Sequence, residues 1–229
     1  MKMREFRVTR NYLDYPPGSA LLEMGNTRVI CTAFYEEGIP AFLQNSMVAE
    51  GWLTAEYNMI PAATLTRGKR ERLSGRSFEI QRLIGRALRA VVDRNEFPGY
   101  TVYVDCDVIQ ADGGTRTAAI NGSCIAIYDA FQKMIAAGLI TTNPLREWVA
   151  AISVGIVENE LILDLSYDQD SRAQVDMNVV MTEQGKFVEI QGTAEREPFT
   201  DNDLQKMLMK AKQAIAKIIY LQKKSVDLI

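Results

Sequence analysis

The sequence predicts an α+β fold with an internal duplication, because strands followed by a helix occur twice along the chain. In each half, apolar runs rich in β-branched residues alternate with short polar turns, which is the pattern of strands joined in hairpins. Each half then continues into a long segment in which apolar residues recur at helical spacing. No stretch rich in Pro, Gly or Ser separates the two halves, so nothing in the sequence marks a linker.

The composition limits the chemistry that the chain can perform. Its 229 residues, of which 47% are hydrophobic, are enough for one large domain or two small fused domains. The chain contains no histidine, which excludes Ser-His-Asp and Cys-His catalysis and any histidine-ligated metal. Catalysis must therefore use carboxylates, Arg, Lys, hydroxyl groups or a bound metal. The net charge of −3 argues against a protein that coats nucleic acid without specificity.

The cysteines and the first residues indicate where the protein works. Cys31, Cys106 and Cys124 are scattered among apolar residues, so we interpret them as reduced core residues. Residues 1–7 lack the apolar region of a signal peptide, and no window approaches a transmembrane span. We therefore expect a cytoplasmic protein without a membrane partner.

The first half is predicted to contain a hairpin, a further strand and a helix. Residues 20–23 and 27–35 flank a short turn with a glycine, and residues 52–60 read as another strand. Residues 77–92 are helical, because their apolar side chains fall on one stripe. The arginines of this helix lie on another face, which we interpret as exposed to solvent: Arg82, Arg86 and Arg89.

The segment QADGGTRT, residues 110–117, joins an apolar strand to a long helical pattern. The unpaired amides and the positive dipole at a helix start suit a phosphate. Two glycines allow close approach of an anion, and Arg116 adds a guanidinium fork that matches phosphate oxygens. The alternative is an ordinary turn with Thr115 as the helix cap. The segment matches neither the dinucleotide fingerprint nor a Walker A loop, so it predicts an anion site without identifying the anion.

The second half repeats the order of strands and helix. Residues 149–157 and 161–166 are predicted to form one hairpin, and residues 175–182 and 187–193 a second. A long helix follows at residues 201–223, and its predicted cap is Thr200 or Asp201.

Two aspartates, Asp170 and Asp176, stand at the entrance of a predicted apolar strand. Their even spacing would place both on one face if the segment were extended. Paired carboxylates can hold Mg²⁺, and one of them can serve as a general acid. The alternative is that both are ordinary turn residues.

A basic run precedes the predicted helix of the first half and ends shortly before Arg76. Such a run contacts the backbone of a nucleic acid or, alternatively, forms a solvated loop. Its cationic residues are Arg67, Lys69, Arg70 and Arg72.

Taken together, these segments resemble the ribonuclease PH family, bacterial phosphate-dependent 3′→5′ exoribonucleases. The resemblance runs in order over residues 4–223, nearly the whole chain. It is carried by TRNY (9–12), EEG (36–38), GWLTAEY (51–57), SGR (74–76), EIQRLIGRALRA (79–90), DCDV (105–108), QADGGTRT (110–117), DMNVVMT (176–182) and QGTAE (191–195).

The resemblance implies a fold like ribosomal protein S5 domain 2, with residues 1–229 as a single ribonuclease PH domain. It implies a homohexameric ring, built as a trimer of dimers. The implied activity is that of a tRNA nucleotidyltransferase, which uses inorganic phosphate as co-substrate and Mg²⁺ as cofactor to release nucleoside diphosphates. The implied substrates are RNA 3′ ends, in tRNA 3′ maturation and in processing or decay of ribosomal RNA.

The resemblance also assigns roles to residues of this sequence. The phosphate site of the family falls on Arg76, Gly114, Thr115 and Arg116. Its catalytic, metal-binding aspartates fall on Asp170 and Asp176. RNA binding is expected from the basic run of Arg67, Lys69, Arg70 and Arg72.

The sequence departs from the family at a few positions. Ala62 stands where bacterial members carry Arg, and the basic run is shorter than in the family. Gln169 replaces a Glu, and Arg196 replaces a Gly. The first two changes fall where the family holds RNA away from the bond that is cleaved. The alternative to an enzyme is a non-catalytic RNA-binding subunit or scaffold of an exosome-like ring. Such a subunit would be free to lose the arginines and aspartates that this chain retains.

Overall fold

The protein is described by a computed structural model over residues 3–44, 50–69 and 75–229. Its first sheet contains β1 (Phe6–Arg10), β2 (Gly18–Met24), β3 (Thr27–Glu37), β4 (Trp52–Met59) and β5 (Tyr100–Gln110). The order across this sheet is β1-β2-β3-β5-β4. β4 runs parallel to β5, and the other neighbouring strands are antiparallel.

Helices cover one face of the first sheet, because alternate strand residues are apolar on that side. The helices of this half are α1 (Ala41–Gln44), α2 (Gly75–Arg89) and α3 (Thr115–Ala136). α2 packs against β4, whereas α3 packs against β2 and β3. The buried residues of β2, for example Leu22 and Met24, point toward α3 and are separated by partly exposed neighbours. A short 3₁₀ turn (Arg94–Glu96) leads into β5.

The second sheet is antiparallel and is followed by the longest helix of the described chain. Its strands are β6 (Val149–Val157), β7 (Glu160–Leu163), β8 (Val175–Thr182) and β9 (Phe187–Ala194), in the order β7-β6-β8-β9. α4 (Tyr167–Arg172) connects β7 to β8, and α5 (Asp201–Ser225) packs against β6. Thr200 caps α5, since its hydroxyl accepts a hydrogen bond from Asp203 N at 3.2 Å.

α3 lies between the two sheets and joins them into one hydrophobic core. It contacts β2 and β3 on one side and β6 on the other, and its side chains are buried nearly all round. Asn121 is fully buried on α3 but exchanges two hydrogen bonds with the backbone of Ala151 on β6, at 3.0 Å and 2.8 Å. These bonds satisfy the buried amide and fix α3 against the second sheet.

The structure confirms the predicted α+β class and the three predicted hairpins. The helices predicted at 77–92, after Arg116 and at 201–223 are also present, with ends shifted by up to three residues. Elements that were not predicted include β1 and the short helices α1 and α4. The strand predicted over residues 161–166 ends at Leu163, because Asp164 adopts a left-handed φ of 57°.

The cysteines are free and buried, as the sequence predicts. The arginines of α2 are only partly a solvated face. Arg82 and Arg86 are exposed, but Arg89 is half-buried, donates a 2.9 Å hydrogen bond to Leu53 O and lies over the Trp52 ring at 5.0 Å. Among the helices of the described residues, none is both long enough and apolar enough to cross a membrane.

Candidate active site

The glycine turn lies between β5 and α3 and brings the start of α3 to the surface of a cleft. Gly113 and Gly114 both have left-handed φ values, 72° and 63°. A Cβ on Gly113 would lie 2.3 Å from Leu165 O, so the turn needs glycine for its conformation and for its close packing. The N-cap is Gly114, and no side chain caps the helix. The prediction of Thr115 as a possible cap is therefore wrong: Thr115 is the first helical residue, and its hydroxyl meets Tyr57 Oη at 2.8 Å.

An ion pair between Arg4 and Asp164 ties the glycine turn to the second half of the molecule. Arg4 Nη2 donates to Asp164 Oδ1 at 2.6 Å, and the Arg4 amide donates to Asp164 Oδ2 at 3.1 Å. The Asp164 side chain is completely buried, and Arg4 also donates to the carbonyl oxygens of Asp112 and Gly113. Thr27 Oγ1 donates to Gly113 O at 2.6 Å. No local sequence pattern indicates this ion pair, because its partners are 160 residues apart.

Asp170 and Asp176 come from different elements and not from one strand face. Asp170 lies on α4 and Asp176 on β8, so the even spacing that we used to pair them is the wrong reason. α4 begins with a capping box in which Ser166 Oγ accepts from Gln169 N and Gln169 Oε1 accepts from Ser166 N at 3.0 Å. Gln169 thus supplies the acceptor that this position requires.

α4 is also tied to the glycine turn. The Tyr167 amide donates to Asp112 Oδ1 at 3.1 Å, which places the helix of Asp170 beside the start of α3. Asp112 belongs to the turn itself, so one short segment positions both the predicted anion site and one of the two aspartates.

The predicted charged residues meet in one cleft of about 700 Å³, here called the site cleft. It is lined by Arg76, Arg116, Asp170 and Asp176, together with Glu79, Ser171, Ala173, Asn178, Gln191, Thr193, Glu195 and Arg196. A second opening of about 420 Å³ shares the four predicted residues and adds the turn residues Gly114 and Thr115. The structure therefore brings together every residue predicted for the phosphate and for the catalytic pair.

The basic run is placed differently. Arg67 and Lys69 are exposed in the segment between β4 and α2, and neither lines the site cleft or the opening beside it. Arg70 and Arg72 lie outside the described residues. Arg196, predicted only as a departure from the family pattern, lines the site cleft and adds a third arginine to its wall.

Burial and charge shift the pKa values of both aspartates. Burial, together with the nearby Asp170 carboxylate, raises the pKa of Asp176 to about 6 against the opposing effect of Arg116. Burial also raises the pKa of Asp170, which is opposed by Arg116 and Arg76. Two carboxylates thus share a partly desolvated cleft in which the arginines offset only part of the cost of their charge.

The same pair of carboxylates could hold a divalent cation. Mg²⁺ is typically held by one or two carboxylates, with substrate phosphates and water completing its coordination. Asp170 and Asp176 repel each other in a half-buried cleft, and a cation between them would relieve that repulsion. Within the described ranges, no group of three or more acidic or cysteine side chains is arranged to hold a metal. Asp170 and Asp176 offer the one or two carboxylates that Mg²⁺ typically takes from a protein.

A hydrogen-bonded chain that the sequence did not predict crosses the site cleft. Arg116 Nη1 donates to Gln191 Oε1 at 2.8 Å, and Gln191 Nε2 donates to Glu79 Oε1 at 2.7 Å. Gln191 lies opposite Asn178, and Thr193 lies opposite Asp176, on the paired strands β8 and β9. Gln191 and Glu79 are both in segments that carry the family resemblance, but the sequence alone does not show that they touch Arg116.

Fold and site together define an α+β protein in which a glycine turn and two arginines face two aspartates. Two family models match it: 3′ exoribonuclease family, domain 1, over residues 2–131, and 3′ exoribonuclease family, domain 2, over residues 147–214. The chain therefore belongs to the 3′ exoribonuclease (RNase PH) family. This confirms the predicted fold, which is like that of ribosomal protein S5 domain 2.

Solved structures with this fold include subunits of exosomes. Rice (Oryza sativa) Rrp46 has 20% identity and a TM-score of 0.79, with 98% of this chain and 95% of that chain covered. A chain of the Archaeoglobus fulgidus exosome with RNA bound to the active site has 19% identity and a TM-score of 0.82, with 95% and 87% covered. A chain of the archaeal exosome core has 18% identity and a TM-score of 0.78, with 97% and 87% covered.

Proposed function

We propose that this protein is a phosphate-dependent 3′→5′ exoribonuclease of the ribonuclease PH type, that is, a tRNA nucleotidyltransferase. The observation that supports the proposal most directly is the site cleft, where Arg76 and Arg116 stand with Asp170 and Asp176 beside the start of α3. An RNA 3′ end and inorganic phosphate are both anions, and this cleft combines cations for the phosphate with carboxylates for a metal and a proton.

The arginines would bind and orient the attacking phosphate. An oxygen of inorganic phosphate attacks the terminal phosphodiester, the bond from phosphorus to the 3′ oxygen of the preceding ribose breaks, and a nucleoside diphosphate leaves. Attack brings two anions together, and charge-assisted contacts from Arg76 and Arg116 would each offset roughly 1.5–3 kcal/mol of that repulsion. Amides of the glycine turn and the first turn of α3 would add hydrogen bonds from the backbone.

The aspartates would supply the metal site and the proton. Mg²⁺ held by Asp176 would neutralise charge that develops on the phosphorus oxygens in the transition state, which leaves Asp170 free to carry a proton. Asp170 would deliver a proton to the departing 3′ oxygen, and its raised pKa favours that role because more of the acid is protonated at a given pH. No covalent intermediate is required, which suits a chain without histidine.

The partners that we propose are RNA and further copies of the chain. The RNA-bound active site of the similar archaeal exosome supports RNA as the polymer substrate. We propose tRNA precursors and other 3′ ends as targets, held partly by the basic run, and a homohexameric ring as the assembly. We further propose cytoplasmic tRNA 3′ maturation and processing or decay of ribosomal RNA as the setting. The alternative, a non-catalytic ring subunit, is supported by the fold shared with exosome chains.

One experiment separates these functions. The purified chain is incubated with a 3′-tailed RNA and Mg²⁺, with and without inorganic phosphate, and the nucleotides released are identified by chromatography. We expect nucleoside diphosphates that appear only with phosphate, and the reverse addition of nucleotides from diphosphates. Nucleoside monophosphates in phosphate-free buffer would identify a hydrolase. If the chain binds RNA, has the mass of a ring in solution and releases no nucleotides, the result would favour the scaffold.

A further inference from the structure

Among the described residues, the Arg116 guanidinium makes one hydrogen bond, from one of its three nitrogens. Nη1 donates to Gln191 Oε1 at 2.8 Å, and within the part of the chain that the structure describes Nε and Nη2 donate to no protein atom. The edge formed by Nε and Nη2 has the geometry of a bidentate fork for a phosphate. The contact with Gln191 thus fixes the guanidinium while leaving this edge available.

The Gln191 amide is itself fixed, because its two ends face groups of opposite charge. Its oxygen accepts from Arg116, and its nitrogen donates to Glu79 Oε1 at 2.7 Å. A flipped amide would point its nitrogen at a guanidinium and its oxygen at a carboxylate, which loses both hydrogen bonds. Glu79 therefore determines the orientation of the amide, and the amide determines where the guanidinium lies.

We propose that Gln191 is the positioning residue for Arg116: oriented by Glu79, it aims the Nε–Nη2 edge at the phosphate co-substrate. The inference rests on the proposed function, because it assigns the residue that sets phosphate affinity in that same cleft. Gln191 acts through Arg116 and is not itself a catalytic residue. Its strand also carries Thr193 opposite Asp176, so one strand pair sets the position of Arg116 relative to the aspartate.

A nearby ion pair provides a matched control. Arg86 Nη1 lies 2.8 Å from Glu189 Oε2, and this pair joins the same helix α2 to the same strand β9, two residues from Gln191. Glu189→Gln weakens the contact between α2 and β9 without touching Arg116. A purely structural role for Gln191 predicts the same consequences for both positions, whereas a positioning role separates them.

The variants are Gln191→Met, which keeps the size but removes both hydrogen bonds, and Gln191→Glu, which keeps the shape but places a carboxylate against Glu79. Glu79→Gln is the conservative variant at the orienting position, because an amide oxygen can still accept from Gln191 Nε2 although the charge that forbids the flipped amide is gone. For each variant we would measure the KM for phosphate at saturating RNA, the KM for RNA at saturating phosphate, kcat and the unfolding midpoint. Phosphate binding is also measured without turnover, by the rise of the midpoint with phosphate concentration.

We expect Gln191→Met to raise the KM for phosphate about tenfold and to leave the KM for RNA within about twofold. Gln191→Glu should weaken phosphate binding more, since its carboxylate repels the anion and holds Arg116 as an ion pair. Glu189→Gln should keep the KM for phosphate of the unchanged chain, whereas Glu79→Gln, which removes the charge that orients the Gln191 amide, should raise this KM less than Gln191→Met does. In parallel, phosphate should raise the unfolding midpoint of Gln191→Met less than that of the unchanged chain.

The outcomes separate this inference from the proposed function. If the unchanged chain releases no diphosphates but its midpoint rises with phosphate, the function fails and the binding series alone decides the role of Gln191. If Gln191→Met loses stability but keeps phosphate affinity, or behaves as Glu189→Gln does, the positioning role is overturned while the function stands. A chain whose midpoint does not respond to phosphate at all overturns both.

Discussion

Two clefts of similar volume differ in the charges that line them. The site cleft, about 700 Å³, lies at a glycine turn and is lined by three arginines and four carboxylic acids. The other, about 760 Å³, lies on the face of the first sheet opposite the helices and is here called the acidic cleft. Its ionisable residues other than tyrosine and cysteine are all carboxylic acids: Asp14, Glu56, Asp105 and Asp107.

The electrostatics of the two clefts differ accordingly. In the acidic cleft, burial raises the pKa of Asp105, and the carboxylates of Glu56 and Asp107 raise it further with no arginine opposing the shift. Glu56 and Asp105 are neighbours on β4 and β5, where like charges directly opposite destabilise a sheet. In the site cleft, Arg116 opposes the shifts of both aspartates. Volume therefore does not distinguish the two clefts, whereas arginines beside a helix start do.

The largest expected difference between the clefts is in catalysis. Asp176→Asn should lower kcat at least about 100-fold, because it removes a metal ligand from the reacting centre. Asp105→Asn removes the same charge from the acidic cleft and should leave kcat within about threefold. The measurement is diphosphate release at saturating RNA, phosphate and Mg²⁺. If both variants lose activity alike, the two clefts are not chemically distinct in the way we describe.

The glycine turn, which the acidic cleft lacks, gives the next largest effect. Gly113→Ala should lower the free energy of unfolding by at least about 2 kcal/mol, since a Cβ would lie 2.3 Å from Leu165 O at a left-handed φ. Urea titration measures the change.

Gly185→Ala is the matched control for the turn. Gly185 has a similar φ of 79°, but a Cβ there would meet nothing within 4 Å. This substitution should lower the free energy of unfolding by about 1 kcal/mol, from backbone strain alone. Equal costs at the two positions would show that the packing of the turn against Leu165 is unimportant.

An aspartate in each cleft, Asp176 or Asp105, should make the free energy of unfolding depend on pH. Only the contribution of Asp176, in the site cleft, should respond to Mg²⁺. The folded protein raises the pKa of Asp176 from 3.8 to about 6, so it binds this proton more tightly than the unfolded chain does. The protonated Asp176 carboxyl makes its whole contribution to the free energy of unfolding below about pH 4, and this contribution is lost as the pH rises through about 6. In the absence of metal at about pH 7.5, Asp176→Asn should therefore raise the free energy of unfolding by roughly 1–3 kcal/mol.

Chemical denaturation between about pH 4.5 and 7.5 checks this, with and without Mg²⁺. The gain of Asp176→Asn should shrink toward the acidic end and should also shrink with Mg²⁺, which neutralises the carboxylates of the unchanged chain. Asp105→Asn should stabilise in the same direction without a response to Mg²⁺. A pH-independent difference between Asp176→Asn and the unchanged chain would contradict the raised pKa.

The residues that the sequence predicted for the site lie together in the structure, but the way in which they meet was not predicted. Hairpins and long helices follow from local periodicity, so β2, β3, α2, α3 and α5 were found. α4 was missed because six residues are too short for a periodic signal, although Ser166 and Gln169 form its capping box.

The remaining omissions arise from contacts between distant parts of the chain. Arg4 and Asp164, or Arg116 and Gln191, are joined only by the packing of the two sheets around α3. No local pattern distinguishes Asp164 from the other aspartates near it. Asp170 and Asp176 lie in one cleft, but not through the strand spacing by which they were paired.

The smallest expected effect concerns how RNA, a polyanion, responds to charges outside the site cleft. The double variant Arg67→Ala and Arg70→Ala should raise the KM for RNA. The slope of the logarithm of the RNA binding constant against the logarithm of salt concentration should become shallower by about 0.7 for each RNA phosphate that the variant no longer binds. Phosphate affinity should not change, since Arg67 does not line the site cleft.

The double variant Glu56→Gln and Asp105→Asn is the control, because it removes two charges from the acidic cleft, as many as the arginine variant removes from the basic run. If RNA stays away from that cleft, the variant should bind RNA slightly more tightly through the change in overall charge, with the salt slope unaltered. A slope that changes equally in both double variants would mean that RNA passes over the acidic cleft, and the basic run would then not be the path to the site.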